Sequence, residues 1–196
     1  MKVFFAAISY LLGSIPTGYL LVRLTGHKDV RDLGSGSTGA TNVLRVKGWK
    51  TALPVAAFDI LKGFLPAFLA FKWFDSPFFA ALCGLLAVIG HCYPFSIGFR
   101  GGKGVATSLG AYAAIALWPC LASLGVFLVA VGLTGYVSIG SIFGAIAFPV
   151  IVLATGGPWT VAAVSLAITA VILLRHSGNI VRVINGTERK LGEKVR

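Results

Sequence analysis

Carboxylates are nearly missing from this chain. Six Asp and Glu stand against 17 Lys and Arg among 196 residues, a formal net charge of +11. Only Asp29, Asp32, Glu188 and Glu193 accompany the cations of the polar segments. Paired-carboxylate acid/base chemistry and an octahedral Mg²⁺ cage both need clustered carboxylate oxygens, so neither is supported. Cysteine is scarce as well: Cys83, Cys92 and Cys120 are an odd count without metal-ligand spacing, which points to neither disulfides nor zinc. Cys92 follows His91, but adjacent residues on a helix face different directions, so this is a packing thiol rather than a nucleophile with its base. No metal and no cofactor is expected. Aromatic residues are nearly absent from between the cations, and without a stacking platform no nucleic-acid partner is expected.

What the chain has in abundance is apolar sequence. It is 57% hydrophobic and 12% charged, with a mean hydropathy of +0.88, and apolar runs long enough to cross a bilayer recur along it. The run from Val3 to Leu21 lacks a small-residue cleavage site and reads as a retained span. Six Lys and Arg lie between Arg23 and Lys50, two between His91 and Lys103, and six between Arg175 and Arg196. Cations concentrated in short loops mark the cytoplasmic side. If the three basic segments share that side, the spans between them are even in number. Residues 51–90 hold two, broken at "FDSP". Residues 104–174 hold two or four, and the breaks "WPC", "TGYVSIGS" and "TGGPW" favour four. The expectation is an all-α integral membrane bundle, residues 1–196 as one domain. It has seven transmembrane helices, the N-terminus outside and the C-terminus cytoplasmic; five spans is the alternative. Asp59 and Lys62, three apart within the second span, share a helix face and read as an ion pair turned to the bundle interior.

Three polar segments carry the chemistry. In "GSGSTGATNVLR", Gly34, Gly36 and Gly39 permit positive φ and close backbone approach, so consecutive N–H groups can converge on an anion. Ser35, Ser37, Thr38, Thr41 and Asn42 add side-chain donors, and a helix starting near Thr41 adds its free N–H groups, with Arg45 one turn on. A flexible linker has similar composition, but this run is pressed between cations and an apolar helix. In "GHCYPFSIGFRGGKGVAT", Gly101, Gly102 and Gly104 surround Lys103 at the start of another apolar helix, where a bound anion would relieve the clash of lysine with the helix dipole. Neither loop has Walker spacing. In "LLRHSGNIVRVINGTERK", Arg175, His176 and Asn179 fall at the cytoplasmic end of the last span, the latter two on one side if the helix continues. Donors without acceptors suit a substrate that brings its own negative charge.

These segments, together with "LLGSIPTGYL" in the first span, resemble the signature segments of the bacterial acyl-phosphate:glycerol-3-phosphate acyltransferase family, PlsY, over essentially the whole chain. The resemblance implies a seven-span inner-membrane enzyme with its active site at the cytoplasmic face. The enzyme moves a fatty acyl group from acyl phosphate to the C1 hydroxyl of glycerol 3-phosphate, giving lysophosphatidic acid in the first step of phospholipid synthesis. It implies contact with the soluble enzyme that makes acyl phosphate. The H-x-x-x-x-D pairing used by many other glycerolipid acyltransferases is absent after His91 and His176. By motif, Ser35, Lys103, His176 and Asn179 match catalytic positions. Gly34, Gly36, Ser37, Thr41, Asn42, Arg45, Gly101, Gly102 and Ser141 match substrate-binding positions. Ser37 stands where Asn is expected, Arg100 where Lys is common, and Gly178 where a longer polar residue often sits. Proton removal by the donor's own phosphate is favoured over His176 as general base. A transporter for an anionic phosphate-containing solute is the alternative function. It would place its site near the midplane and show inverted repeats, and no repeat is visible.

Overall fold

The computed structural model describes residues 1–26 and 28–193, and every described element is helical. The helices are α1 (Lys2–Gly13), α2 (Thr17–Gly26), α3 (Ala40–Lys47), α4 (Trp49–Phe74), α5 (Pro77–Cys92), α6 (Val105–Ile115), α7 (Leu117–Thr134), α8 (Val137–Ala154), α9 (Trp159–Arg175) and α10 (Ser177–Ile184). Five stretches are long and apolar enough to cross a membrane: Lys2–Gly26, Trp49–Phe74, Pro77–Ile97, Leu117–Thr134 and Val137–Ala154. A sixth results if α9 and α10, bent by 56°, are counted together.

The breaks follow local chemistry. The first apolar run is interrupted at Ser14–Pro16, because Pro16 has no N–H to continue the ladder. Asp75 adopts a left-handed conformation that ends α4, and the Ser76 side chain accepts the Phe79 N–H to start α5, with Pro77 in its first turn. The break expected at "WPC" lies two residues earlier: α6 ends at Ile115, and Pro119 sits within the first turn of α7. Likewise the "TGYVSIGS" break is confined to Gly135 and Tyr136, so Ser141 is on α8 rather than in a turn.

Backbones meet where side chains are smallest. A Cβ on Gly13 of α1 would overlap the Ala87 backbone of α5, and one on Gly90 of α5 would overlap the Tyr10 carbonyl. The α4/α6 crossing is built the same way, with Gly63 against the Thr107 carbonyl and Gly110 against that of Ile60. In lipid, where helices gain nothing from escaping water, such close approach supplies the packing. Large apolar side chains point outward instead: α7 buries only Cys120 and Ser123 and exposes Trp118, Leu121, Leu128, Val129 and Leu133. All three cysteines are free and buried. Asp59 and Lys62 form the expected interior ion pair, 2.8 Å apart.

Candidate active site

The polar segments, remote in sequence, converge on one cavity. It has a volume of about 260 Å³, and its walls come from the 35–45 segment, the start of α6, the start of α8, the α9/α10 junction and Glu188. Ser35, Ser37, Thr41, Asn42, Arg45, Lys103, Ser141, His176 and Asn179 all line it. A second, more polar hollow of about 200 Å³ lies beside it and shares Ser35, Ser37, Lys103 and Asn179, adding Gly36, Arg175 and Arg182. Gly34, Gly101 and Gly102 line neither and act through backbone shape.

Each segment is held by identifiable bonds. Gly34 and Gly36 have φ of 63° and 70°, the left-handed region that bends the 34–38 loop back on itself. Asn42, the first-turn residue of α3 that fastens this loop, accepts the Ser35 N–H at 2.8 Å and shares its two amide hydrogens among the carbonyls of Ser37, Leu33 and Val30 at 2.8, 3.0 and 3.2 Å. Its polar atoms are thereby committed to the loop backbone. The Gly101–Gly104 turn is gripped from both sides. Gly102 N–H donates to the His91 carbonyl at 3.0 Å and Gly101 N–H to that of Cys92 at 3.2 Å. From the opposite side the Arg175 guanidinium donates to the carbonyls of Gly102 and Gly101, both at 3.0 Å.

Four helices begin at the cavity wall: α3 through Ala40 and Thr41, α6 through Val105 and Ala106, and α8 through Val137 and Ser138 line the larger space, while α10 through Ser177 and Gly178 lines the smaller. Helix starts carry unpaired N–H groups and the positive end of the peptide dipole, so they add to the field of Arg45, Lys103, Arg175 and Arg182.

Sequence reasoning missed the counter-charge. Glu188, buried and outside every helix, accepts from Asn179 Nδ2 at 2.6 Å, Ser138 Oγ at 3.0 Å and Arg182 Nε at 2.8 Å. Burial raises its pKa, but hydrogen bonds from Asn179, Arg182 and Ser138 outweigh that and hold it below the usual glutamate value. Asn179 in turn accepts from Lys103 Nζ at 2.5 Å. Burial is the main cause that lowers the Lys103 ammonium to about 8; the cations Arg182, Arg45 and Arg175 lower it further, against the pull of Glu188. Burial also lowers the Arg45 pKa, and this side chain donates to the Arg189 carbonyl at 3.2 Å. The sequence signal for Glu188 was available: one of only two carboxylates in a strongly basic terminal segment.

His176 occupies the bend between α9 and α10, so the helix does not run straight from it to Asn179, yet both reach the cavity. Its Nδ1 lies 2.8 Å from the Ile172 carbonyl. A carbonyl can only accept, so this bond puts the proton on Nδ1 and leaves Nε2 of the neutral ring as an acceptor. Away from the polar groups the walls turn apolar, with Leu109 and Tyr112 of α6, Leu124 and Phe127 of α7, and Ala145 of α8.

The glycerol-3-phosphate acyltransferase family model matches residues 3–186. The chain belongs to this family. Glycerol-3-phosphate acyltransferase 1 of Deinococcus radiodurans is 48% identical, the match covering 96% of this chain and 94% of that protein. The glycerol-3-phosphate acyltransferase of Synechococcus sp. (strain CC9902) is 45% identical, with the same two coverages. The crystal structure of PlsY, an integral membrane glycerol 3-phosphate acyltransferase, in its glycerol 3-phosphate form superposes with a TM-score of 0.93 at 41% identity, covering 97% of this chain and 96% of that one. A second form of PlsY, with lysophosphatidic acid, gives 0.90 at 40% identity.

Proposed function

We propose that this protein transfers a fatty acyl group from acyl phosphate to the C1 hydroxyl of glycerol 3-phosphate, producing lysophosphatidic acid and inorganic phosphate. The observation that carries this reading is the two-character cavity, with cations and hydroxyls at one end and apolar walls between α6, α7 and α8 at the other. A phosphate-bearing head and an acyl chain need both. Each buried CH₂ of the chain contributes about 0.8 kcal/mol, so affinity for a long acyl group follows from the apolar end.

In this mechanism Ser35, Ser37, Thr41 and the N–H groups of the 34–41 segment receive the phosphate of acyl phosphate. Arg45, Lys103, His176 and Asn179 receive glycerol 3-phosphate. The C1 oxygen attacks the acyl carbon, the resulting oxyanion is met by fixed donors, and the bond from carbon to the phosphate oxygen breaks as phosphate leaves. The hydroxyl proton passes to the departing phosphate. His176 then serves as a binding group whose free Nε2 accepts the neighbouring C2 hydroxyl and so orients the glycerol backbone.

The same proposal includes seven membrane crossings within one domain. The N-terminus is outside, and the site is at the cytoplasmic face of the inner membrane, where the soluble supplier of acyl phosphate can reach it. The seventh crossing is α6, only about 16 Å long at 1.5 Å per residue. Its contacts with α4, α5 and α7 support this, since irregular backbone at membrane depth is tolerated where protein covers it.

The test is purified protein in micelles with acyl phosphate and glycerol 3-phosphate. Release of lysophosphatidic acid and phosphate is expected, and no product from acyl-CoA. Labelled glycerol 3-phosphate accumulating in vesicles without product would instead establish a transporter.

A further inference from the structure

A second buried charge cluster lies against the same cavity, and the mechanism above makes no use of it. Asp59 of α4 and His91 of α5 both line the cavity and are 1% and 5% exposed. Asp59 Oδ1 accepts from Thr17 Oγ1 of α2 at 2.9 Å, from Lys62 Nζ at 2.8 Å, and faces His91 Nδ1 at 3.5 Å. Lys62 also donates to the Ile15 carbonyl at 2.9 Å. Asp59 Oδ2 is buried without a hydrogen-bond partner. A charge cluster with one oxygen unpaired is a poor stabiliser, because desolvating the ions costs several kcal/mol that incomplete pairing does not recover. Its value is better sought in geometry.

The geometry leads to the Lys103 turn. The His91 carbonyl accepts Gly102 N–H, and the His91 ring lies so close under Gly102 that a Cβ there would overlap Nε2. A Cβ on Gly101 would overlap the His91 carbonyl. The turn that presents Lys103 therefore rests on the His91 ring and backbone, while Arg175 holds its outer side. The ring's Nδ1 faces the Asp59 carboxylate, which Thr17 and Lys62 hold in turn.

We propose that Asp59 and His91 are positioning residues for the reaction: the carboxylate fixes the imidazole, and the imidazole fixes the Gly101–Gly104 turn so that the Lys103 ammonium is aimed at substrate phosphate. This rests on the acyltransferase reading, and the unmodified protein tests that reading first. Only when wild type makes lysophosphatidic acid do the variants bear on the positioning pair.

The experiment compares His91→Ala with His91→Asn, whose amide nitrogen takes the place of Nδ1 facing Asp59. A misplacement of about 1 Å in a catalytic group can cost about a hundredfold. His91→Ala is accordingly expected to lower kcat/KM by ten- to about a hundredfold, and His91→Asn, which keeps a nitrogen toward Asp59 but lacks the ring atoms under Gly102, to lower it by more than about threefold. In a Lys103→Ala background, followed with labelled glycerol 3-phosphate over long incubations, the His91→Ala effect is expected to shrink to less than about twofold, because two groups acting through one ammonium are not additive. Should His91→Ala fail to fold, Thr17→Val replaces it. That variant removes one donor from Asp59 and no charge, and the same loss of its effect over Lys103→Ala is expected. Wild-type kcat/KM in the folded variant, or an undiminished effect over Lys103→Ala, overturns the proposal.

Discussion

Raising the pH from 7 to 9.5 tests the electrostatics of the site through Lys103. Burial among Arg45, Arg175 and Arg182 lowers its pKa from 10.5 to about 8. A phosphate dianion beside the ammonium stabilises the charged form, so binding of glycerol 3-phosphate requires the proton that the free site loses above about pH 8. At pH 9 about one tenth of free sites keep it, and affinity falls about tenfold, or ~1.4 kcal/mol, for each further pH unit. The ligand does not confuse the measurement, because its phosphate, with a second pKa of about 6, is already a dianion in this range. Titration calorimetry of glycerol 3-phosphate in buffers of different ionisation enthalpy reads both quantities: Kd against pH, and proton uptake of about half a proton per ligand near pH 8. Folding stability without ligand moves the opposite way. The folded state loses the Lys103 proton at about 8 and the unfolded chain at 10.5, so between them the unfolded chain binds more protons and this group makes stability rise with pH. Lys103→Arg, whose guanidinium does not titrate here, should flatten the Kd profile. A flat wild-type profile from pH 7 to 9.5, or an unchanged slope in Lys103→Arg, refutes the reasoning.

Three further outcomes are expected. Arg45→Ala should cut kcat/KM by about a hundredfold or more with an unchanged melting temperature, since it removes a charged donor to substrate phosphate and only one exposed bond to the Arg189 carbonyl. His176→Gln, which keeps donors but no basicity, should retain most of the kcat, and a collapse of kcat with an altered pH profile would make His176 the general base. Asn42→Ala strands the Ser35 N–H and three carbonyls. A loss of about 1–3 kcal/mol is expected, concentrated in the 33–38 loop and read by hydrogen exchange, because buried groups left unbonded cost about that much.

The sequence was most legible where composition and spacing act locally. Apolar runs gave the helices, and FDSP and TGGPW gave breaks at Phe74–Pro77 and Ala154–Trp159. The Asp59–Lys62 pair followed from helical spacing alone. Legibility failed where an outcome depends on what lies opposite. Asn42 read as a donor to ligand because its type and place suit one, but its amide is committed to four backbone groups of a loop whose return path no periodicity announces. Gly101 and Gly102 read as a phosphate cradle, whereas their lack of a Cβ makes room for His91, a residue ten positions earlier. Glu188 and Ser138, fifty positions apart, become partners only when the terminal segment folds against the start of α8. The bend at His176 was equally hidden, because no Pro or Gly occupies that position to signal it.

Glu188 also explains how so positive a cavity can exist before substrate arrives. Arg45, Lys103, Arg175 and Arg182, all partly buried, repel one another, and four helix starts add to the same sign. One carboxylate, bonded to Arg182 and acting on Arg45 and Lys103 through space, offsets part of that repulsion. It does so through Asn179, Ser138 and Arg182 rather than by direct contact with Lys103, whose nearest partner is the neutral Asn179 oxygen at 2.5 Å. The distinction matters for binding. A lysine bonded to a carboxylate would have to break an ion pair to meet a phosphate, whereas one bonded to an amide gives up only a neutral acceptor and gains a full charge. The scarcity of carboxylates in the sequence and the indirect placement of this one therefore have a common effect: the strongest anion at the site is left to be the substrate.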